Sequence, residues 1–469
     1  MKQKRVMIAA PKSGSGKTVV TCAFLAACRQ RGLQAVSFKC GPDYIDPMFH
    51  EKMLHIPSKN LDTFFTGEEK TKALFAEDAG TKDIAVIEGV MGLYDGLGGV
   101  REEGSSYHLA KVTKTPVVLV VDAKGTGRTI LSMIAGLLAY DREHLIQGVI
   151  FNRASKGYFE TIKPLAREEL KIAALGFLPE QKALHIESRH LGLLLPKEVQ
   201  SLEEKLTAAA EAFAQTVCVE RMLQIAEHAD TQAYAQAACT RRMLQMEDAP
   251  YISRLAGRDK PVIAVAKDEA FCFYYADNIK LLQAYGAKIT YFSPIWDDKL
   301  PDNCHALLLG GGYPELYAKQ LSRNMTMRQS VRQAAADKMP IVAECGGFLY
   351  LHSALQDQDG NCYEMAGAVP AACFYTGKLV RFGYVALREK QSFFLPAGGT
   401  IKGHEYHYYD SAKNGTDAVA VKPATGKEYP CVIENEMQWM GFPHLYYPSN
   451  PCFAKAFLEK ALRYSGRSH

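Results

Sequence analysis

The sequence places a cysteine where a buried strand is expected to turn sharply into a helix. A short run of apolar or small residues at 340–343 leads into Glu344-Cys345-Gly346-Gly347. The two glycines allow the tight backbone that exposes a nucleophilic sulfur, and a strand-to-helix turn of this kind is a nucleophile elbow. Because most cysteines are merely buried, a catalytic reading of Cys345 needs a second feature.

A glycine turn upstream of the cysteine supplies that feature. The apolar run at 306–309 is typical of a buried strand, and Gly310, Gly311 and Gly312 follow it directly. Backbone N–H groups in such a turn can hold the oxyanion of a tetrahedral intermediate. We therefore assign Gly311 and Gly312 to an oxyanion hole and Cys345 to nucleophilic catalysis.

A second chemistry is indicated near the start of the chain by a phosphate-binding loop. A strand is expected at 5–10 and an amphipathic helix at 19–31, and the loop between them contains the predicted nucleotide-binding residues Lys12, Ser13, Gly14, Ser15, Gly16, Lys17 and Thr18. In such loops the backbone amides cradle phosphates, the lysine reaches the terminal phosphates and the hydroxyl binds magnesium. Pro11 replaces the first glycine of the strict motif, so the match is to a variant. Lys12 is read equally well as a phosphate contact or as a solvated surface residue.

Strand-like and helical stretches alternate along most of the chain. Strands are expected at 35–39, 84–88, 117–122, 148–152, 261–266, 306–309 and 341–343. This alternation predicts an α/β protein with two doubly wound domains. Between 196 and 260 the residues are mainly Ala, Glu, Gln and Leu, which predicts a helical connector. The predicted organisation is a domain at 1–195, a connector at 196–260 and a second domain at 261–469.

Polar residues end the predicted strands of the first domain, at the edge where such sheets bind ligands. They are Lys39, Glu88, Asp122 and Asn152. Asp43, Asp46 and Asp95 follow in loops expected at the same edge, where carboxylates hold magnesium or orient a substrate. Glu88 is the preferred magnesium ligand together with Thr18, and Asp43 is a third candidate. Each carboxylate is read as readily as a solvated loop residue or a helix cap.

Composition excludes several classes of protein. The chain has 469 residues, of which 48% are hydrophobic and 23% charged, and a net charge of +4; these values indicate a globular protein of two or three domains. Nucleic acid is not expected as a partner, because no basic block is interleaved with aromatic residues. No apolar run is long enough for a membrane span or a signal peptide, which predicts a cytoplasmic protein. The twelve cysteines are scattered, which favours free thiols.

Five strings resemble the cobyrinic acid a,c-diamide synthase family. They are FKCGPDYIDP at 38–47, EGVMGLYDG at 88–96, RHLGL at 189–193, DEAFCFYY at 268–275 and GHEYH at 403–407. They occur in family order over nearly the whole chain. The resemblance implies a dethiobiotin-synthetase-like ATP domain followed by a class I glutamine amidotransferase domain. It also implies ATP-dependent amidation of two acetate side chains of cobyrinate, a cobalamin precursor, with glutamine as the nitrogen donor.

Chemistry and resemblance together suggest roles for the loop residues. A carboxylate does not react with ammonia unaided, so ATP and Mg²⁺ are expected to convert it to an acyl phosphate. By resemblance, Asp46 and Asp95 lie beside the tetrapyrrole carboxylates. Asp43 and Tyr44 are further substrate-binding candidates, although a loop tyrosine is as often a packing residue.

The resemblance also points to the base of the second site. Attack of Cys345 on glutamine through a thioester requires a histidine that takes and returns the proton, and His444 matches the family's position. The common amidotransferase pattern is His-x-Glu, but Tyr446 stands in the acid's place, so the third triad member is either missing or supplied from elsewhere. His404 and His407 have a spacing that suits a metal but lack further ligands, and we read them as interface or structural residues.

Two other functions stay open at this point. A nickel-sirohydrochlorin a,c-diamide synthase shares these motifs and performs the same two amidations on another tetrapyrrole. A P-loop nucleotide switch with a non-catalytic second domain would account for the phosphate loop but has no need of Cys345 and the glycine turn. Oligomeric state is also open, with a homodimer as one alternative.

Overall fold

The computed structural model describes residues 3–180, 196–229, 251 and 260–466. The chain divides into two compact units, Met1–Glu247 and Asp248–His469. The string at 189–193 lies outside the described residues, as do 230–250 and 252–259 of the predicted connector.

The first unit is built on strands that alternate with helices. In chain order the elements are β1 (Lys4–Ala9), α1 (Lys17–Gln30), β2 (Ala35–Cys40), α2 (Ile45–Leu54), β3 (Ser58–Leu61), α3 (Thr63–Ala79), β4 (Ile84–Glu88), α4 (Ser106–Thr113), β5 (Val117–Asp122), α5 (Thr129–Tyr140), β6 (Ile146–Asn152), α6 (Lys156–Leu170), β7 (Ala173–Leu178), α7 (Pro196–Thr216) and α8 (Val219–Glu227). The strands form one parallel sheet in the order β3-β2-β4-β1-β5-β6-β7. The predicted doubly wound α/β fold is confirmed.

Helices cover both faces of this sheet. Along β1, Met7 and Ala9 pack into one apolar core, whereas Val6 and Ile8 pack into the other. Central strands of such a sheet are buried on both faces, which is why they are continuous apolar runs in the sequence. β1 lies between β4 and β5, where the strand order reverses. A crevice for ligands is expected beyond the carboxyl ends of the strands at such a point.

Two helices from the predicted connector pack on the first unit. Phe213 and Val217 near the end of α7, and Met222 of α8, belong to the same core as α1. The ring of Phe213 lies 6.3 Å from that of Phe24 in α1. The described part of this segment therefore adds a helical layer to the first unit. The domain bounds drawn from the sequence remain a prediction.

The second unit combines a mainly parallel sheet with antiparallel ones. Its elements are β8 (Val262–Ala266), β9 (Phe271–Phe273), α9 (Ala276–Ala284), β10 (Lys288–Phe292), β11 (Ala306–Leu309), β12 (Gly311–Gly312), α10 (Ala318–Arg323), α11 (Met325–Ala336), β13 (Ile341–Glu344), α12 (Gly346–Leu351), β14 (His352–Gln356), β15 (Cys362–Glu364), β16 (Val369–Tyr375), β17 (Arg381–Glu389), β18 (Thr400–His407), β19 (Tyr409–Ser411), β20 (Ala418–Val421), β21 (Glu428–Cys431), β22 (Ile433–Glu434), β23 (Gln438–Gly441), β24 (His444–Leu445) and α13 (Pro451–Ser465). The main sheet has the order β10-β8-β11-β13-β23-β22, with β22 antiparallel.

The main sheet brings three chain segments to one edge. β13 lies between β11 and β23 and runs parallel to both. The glycine turn after β11, the cysteine turn after β13 and the segment after β23 that leads to His444 therefore leave the sheet at the same end. The carboxyl ends of parallel strands are where α/β sheets bind their ligands.

Two further properties concern the described part of the chain only. No helix in it is long and apolar enough to cross a membrane. Each cysteine that it contains is a free thiol.

Phe213→Ala is expected to destabilise the first unit. Phe213 is fully buried, and removing such a ring costs about 3–5 kcal/mol because a cavity remains. Gln215→Ala, on the exposed face of the same helix, is the matched control and should change the free energy of unfolding by less than about 0.5 kcal/mol. Denaturant unfolding measures both variants. Equal midpoints for Phe213→Ala and wild type would show that α7 is not part of this core.

Candidate active sites

The phosphate loop joins β1 to α1 and requires glycine at one position. Gly16 has a φ of 96°, and a β-carbon there would lie 2.2 Å from Asn152 Nδ2. A side chain is excluded on both grounds. Asn152, at the end of β6, donates from Nδ2 to the Ser15 carbonyl at 2.9 Å. A residue from a distant strand therefore braces the loop.

Lys17 and Thr18 begin α1 at the end of that loop. Lys17 is buried, and its Nζ donates to the Met91 carbonyl at 2.6 Å. Burial, and then the nearby Lys39, lower the pKa of Lys17 to about 8. The Thr18 hydroxyl donates to Glu88 Oε1 at 2.6 Å. The loop amides and the N-terminus of α1 form the kind of site that binds phosphate.

The rest of the predicted nucleotide-binding set lies in the loop itself. Lys12, Ser13 and Gly14 are exposed, whereas Ser15 is buried and its hydroxyl donates to the Lys12 carbonyl at 3.0 Å. The exposed residues leave the outer side of the loop open to a ligand. Their contacts with a nucleotide stay a prediction.

A buried ion cluster lies beside the loop. Lys39 Nζ is 2.5 Å from Asp46 Oδ2, 3.0 Å from Glu88 Oε1 and 4.0 Å from Asp43 Oδ2. Lys39, Asp46 and Glu88 are each at most 7% exposed. Buried charges are tolerated in proteins only when they are paired. Lys39, noted in the sequence only as a polar strand end, is thus the centre of this cluster.

The cluster fixes the charge of its members. Burial opposes ionisation of Glu88, but Lys39 and His50 outweigh it and hold the pKa of that carboxyl below its usual range. Burial likewise opposes the charge of Lys39, yet Asp46 and Glu88 keep its pKa raised. The pKa of Asp46 is raised by burial and by Glu88. These pKa shifts favour an ionised Glu88 beside a charged Lys39.

His50 is a member of the cluster that the sequence analysis missed. It is fully buried in α2, with Nδ1 2.9 Å from Ser37 Oγ and Nε2 3.2 Å from Glu88 Oε2. A single histidine in a helix carries no spacing signal in the sequence. Only the packing of α2 brings it to Glu88.

The other predicted substrate residues lie in loops next to the cluster. Asp43 Oδ1 accepts the Ile45 N–H at 2.8 Å, as a helix cap would, and Tyr44 is buried. Asp95 Oδ2 accepts the Gly92 N–H at 2.9 Å. A β-carbon at Gly92 would lie 2.6 Å from the Pro11 carbonyl oxygen, so the loop of Asp95 touches the phosphate loop. Substrate contacts of these residues stay a prediction.

The oxygen atoms of Thr18 and Glu88 fit a magnesium ion. Mg²⁺ prefers one or two carboxylate or hydroxyl oxygens and takes its other ligands from phosphates and water. Across the described residues, no group of three or more His, Cys, Asp or Glu could hold a metal by itself. Magnesium binding by Thr18 and Glu88 stays a prediction. Asp43 is the third predicted ligand. Its carboxylate is linked to Glu88 through Lys39, whose Nζ lies 4.0 Å from Asp43 Oδ2 and 3.0 Å from Glu88 Oε1.

In the second unit, Cys345 occupies a sharp turn between β13 and α12. Its φ of 47° and ψ of −101° lie outside the helical and strand regions, a strained conformation of the kind found at functional sites. The Cys345 N–H donates to the Gly441 carbonyl at 2.8 Å, and the Leu349 N–H donates to the Cys345 carbonyl at 2.9 Å. The strand-to-helix turn expected from the sequence is present.

The glycine turn packs directly against this elbow. A β-carbon at Gly346 would lie 3.0 Å from Gly312 N, and Gly312 itself has a φ of 155°. Tyr274, which the sequence analysis gave no role, supports the turn. Its hydroxyl accepts the Gly310 N–H at 2.8 Å and donates to the Ala266 carbonyl.

His444 also packs against the glycine turn. A β-carbon at Gly311 would be 2.3 Å from His444 Cε1, so only glycine fits there. The ring of His404 stacks on that of His444, with centroids 4.9 Å apart and planes at 17°. These contacts bring together His444, the glycine turn and Cys345.

Burial disfavours the charged forms of both Cys345 and His444, the residues predicted to react. Burial, and then His407, lower the pKa of His444 to about 3. Burial, and then Glu315, raise the pKa of the Cys345 thiol well above its usual range. A neutral imidazole can accept the proton as the thiol attacks. The arrangement suits general-base activation of the thiol rather than a permanent thiolate.

His404 and His407 form part of the surroundings of His444. His404 Nδ1 lies 2.9 Å from the Tyr275 hydroxyl, and His407 Nδ1 lies 2.7 Å from the Tyr409 carbonyl. His407 also stacks on Phe442, with centroids 4.0 Å apart. The reading of this pair as interface or structural residues stays a prediction.

Two family models match the chain, one in each unit. Residues 6–193 match the CobQ/CobB/MinD/ParA nucleotide binding domain. Residues 262–442 match the CobB/CobQ-like glutamine amidotransferase domain. The first match contains the phosphate loop and the Lys39 cluster, and the second contains Cys345 and the glycine turn.

Similar proteins cover nearly the full chain. A cobyrinate a,c-diamide synthase from Caldanaerobacter subterraneus subsp. tengcongensis is 34% identical over 97% of this chain and 97% of its own length. One from Fusobacterium nucleatum subsp. nucleatum is 36% identical over 95% of this chain and 97% of its own. Among solved structures, the septum site-determining protein MinD with Mg-ADP from Pyrococcus horikoshii gives a TM-score of 0.30 at 15% identity, covering 50% of this chain and 98% of its own.

Alkylation of Cys345 should depend on pH in a way that reflects its raised pKa. Only the thiolate reacts, so the rate in the ligand-free protein should still be rising at pH 10, whereas an ordinary thiol of pKa about 8.5 is then close to its plateau. Mass spectrometry of the Cys345 peptide after timed iodoacetamide treatment measures this profile, with glutathione as the control thiol. A plateau below pH 8 would contradict the neutral thiol.

Proposed function

The chain belongs to the cobyrinate a,c-diamide synthase family, and we propose that its first unit activates carboxylates of cobyrinate with ATP while its second unit releases ammonia from glutamine. It is an ATP-dependent ligase of cobalamin biosynthesis with glutamine as amido donor. One observation supports the assignment of the two reactions to different units. The phosphate loop with Glu88 lies in the first unit, and the Cys345 elbow with His444 lies in the second.

In the first unit, the proposed step transfers the terminal phosphoryl group of ATP to an acetate oxygen. ADP leaves, and ammonia then displaces phosphate from the acyl phosphate to give the amide. The loop at 13–18 would hold the phosphates, with Lys17 neutralising the charge of the group in transfer. Mg²⁺, held by Thr18 and Glu88, would neutralise further phosphate charge.

The proposed substrate side is formed by Asp43, Tyr44, Asp46 and Asp95. Two observations support it. Asp46 is bound to Lys39, whose ammonium is suited to an acetate carboxylate, and the loop of Asp95 contacts the phosphate loop. An acetate near Lys39 would thus lie close to the nucleotide. Reacting atoms must come within about 3–3.5 Å of each other.

In the second unit, the proposed step cleaves the glutamine amide. The Cys345 sulfur attacks the amide carbon while His444 takes the thiol proton. The oxyanion is stabilised by backbone amides of Gly311 and Gly312. His444 then returns the proton to the leaving ammonia, and water hydrolyses the thioester to glutamate.

Mass spectrometry of a reaction with cobyrinate, glutamine and Mg-ATP tests the function directly. The expected products are the mono- and diamide, with one ADP, one phosphate and one glutamate for each amide formed. Nickel-sirohydrochlorin serves as the competing acceptor. Amidation of that tetrapyrrole without amidation of cobyrinate would overturn the proposed substrate.

Cys345→Ser should separate the two activities. Glutamine-dependent amidation should fall below detection, since the serine hydroxyl is a far weaker nucleophile here, while amidation with ammonium salts should continue at the wild-type rate. Steady-state assays with each nitrogen donor measure this. If ammonium failed to restore product with a folded variant, the two-site scheme would be wrong.

Lys17→Ala should abolish synthesis with either donor. Loss of one preorganised charge contact at a transition state costs about 3 kcal/mol or more, roughly a hundredfold in rate. Lys163→Ala is the control, because Lys163 is an exposed lysine of α6 outside the loop; it should leave turnover close to that of wild type. Near-normal ammonia-dependent turnover by Lys17→Ala would refute the assignment of Lys17.

A further inference from the structure

The side chain in the triad acid's place is engaged elsewhere. Tyr446, two residues after His444, donates from its hydroxyl to Asp277 Oδ2 at 2.6 Å. Asp277 is buried at the start of α9. In a triad the acid fixes the orientation of the histidine. Some other contact has to hold His444 in position toward Cys345.

The chain on either side of Tyr446 is bound by one buried amide of the same helix. Asn278, the next residue of α9, is 6% exposed. Its Nδ2 donates to the Leu445 carbonyl at 2.8 Å, and its Oδ1 accepts the Tyr447 N–H at 2.8 Å. Both ends of one side chain therefore fix the backbone that directly follows His444.

The strand that carries His444 is too short to hold it alone. β24 has only two residues, whereas strands in globular proteins usually have about 3–10. It pairs with β18, and the next residue, Tyr446, donates its N–H to the Lys402 carbonyl at 2.9 Å. The amide of Asn278 therefore adds an anchor from α9 to the one that β18 provides.

The ring of His444 is also held from the start of α9. His404 stacks on it, with centroids 4.9 Å apart and planes at 17°. His404 Nδ1 lies 2.9 Å from the hydroxyl of Tyr275, the buried residue directly before α9. The ring of Tyr275 packs edge-on against that of Tyr446, with centroids 5.0 Å apart. The His444 ring cannot turn without losing its contact with a neighbour that is itself fixed.

We propose that Asn278 and Tyr275 are positioning residues for the base His444. Asn278 fixes its backbone, and Tyr275 fixes its ring through His404. Together they orient the histidine as the acid of a triad would. The inference rests on the proposed roles of His444 and Cys345.

This arrangement differs from a triad in the charge that it supplies. A triad acid orients the histidine and also stabilises its protonated form. The amide of Asn278 and the phenol of Tyr275 are uncharged at neutral pH, so they provide orientation only. The lowered pKa of His444, which follows from burial and then from His407, agrees with that.

Asn278→Ala tests the backbone contact. The Leu445 carbonyl and the Tyr447 N–H lose their partner, and a displacement of about 1 Å at a catalytic group can cost about a hundredfold in rate. The glutaminase kcat should therefore fall about a hundredfold, with KM for glutamine changed less than about threefold. Ammonia-dependent amidation, which does not use His444, should continue at the wild-type rate.

Tyr275→Phe tests the ring contact by removing a single hydroxyl. The phenyl ring keeps the packing against Tyr446, so the variant should fold with a Tm close to that of wild type. The glutaminase kcat should fall about fivefold, the factor that one ordinary hydrogen bond represents.

The pH profile separates a positioning role from a merely structural one. In wild type a neutral His444 takes the proton, and the pKa values of the adjacent His404 and His407 are lowered as well, so kcat should change little between about pH 7 and 9. With a displaced base, the residual reaction depends on the Cys345 thiolate, whose amount rises about tenfold per pH unit below the thiol pKa. The residual kcat of Asn278→Ala should therefore rise with pH. Partial unfolding would instead lower kcat by the same factor at every pH.

Asn324→Ala is the matched control for loss of an amide that binds backbone. Asn324, at the start of α11, donates from Nδ2 to the carbonyls of Pro294 at 3.0 Å and Asp297 at 2.8 Å, and its Oδ1 accepts the Met327 N–H at 3.3 Å. Its loss should lower Tm, leave glutaminase kcat within about threefold of wild type and keep the wild-type pH profile.

Several outcomes would overturn the inference. For Asn278, they are a wild-type kcat of the alanine variant, a reduced kcat with the wild-type pH profile, and an equal loss of kcat in Asn324→Ala. For Tyr275, a wild-type kcat of the phenylalanine variant would do so, and this test stands even if Asn278→Ala does not fold. Absence of glutaminase activity in the wild type would overturn the proposed function itself.

Discussion

The site of the first unit depends on the buried ammonium of Lys39. This ammonium binds the carboxylates of Asp46 and Glu88, which come from the first turn of α2 and from the end of β4. Removing one partner of a buried ion pair leaves an uncompensated charge, which typically costs 3–5 kcal/mol. Glu88 in turn accepts from Thr18 at the end of the phosphate loop. Glu88 therefore connects the phosphate loop with the Lys39 cluster.

The site of the second unit depends on a different constraint, which is that other groups approach the backbone closely at several glycines. Gly311 and Gly347 leave no room for a β-carbon, which would lie 2.3 Å from His444 Cε1 or 2.1 Å from the Leu309 carbonyl oxygen, and at Gly346 it would lie 3.0 Å from Gly312 N. These contacts allow three strand ends to converge on Cys345. Preorganised amides of this kind act strongly on developing charge because they need no rearrangement during reaction. Glycines, which have no side chain, are therefore required for this site to form.

The sequence predicted the elements well where the signal is local. The strands at 84–88 and 117–122 have the predicted bounds, because buried parallel strands are short apolar runs ended by polar residues. The connector was predicted as helix from composition, yet composition does not say where a helix packs. Phe213 lies in the core of the first unit, a contact that depends on the partner α1 rather than on α7 itself.

By itself, the sequence determined the phosphate loop, the cysteine turn and the family, because each is a contiguous pattern of glycine and polar residues next to an apolar strand. Tertiary structure alone decided how the side chains are paired. Tyr446 reaches Asp277 over 169 positions and Tyr447 reaches Glu344 over 103, while His50 reaches Glu88 across α2 and β4. Such contacts join residues far apart in the chain, and nothing in the local pattern specifies them. The missing triad acid is visible in the sequence, but the contact that engages Tyr446, the residue in its place, exists only once α9 is folded beside that part of the chain.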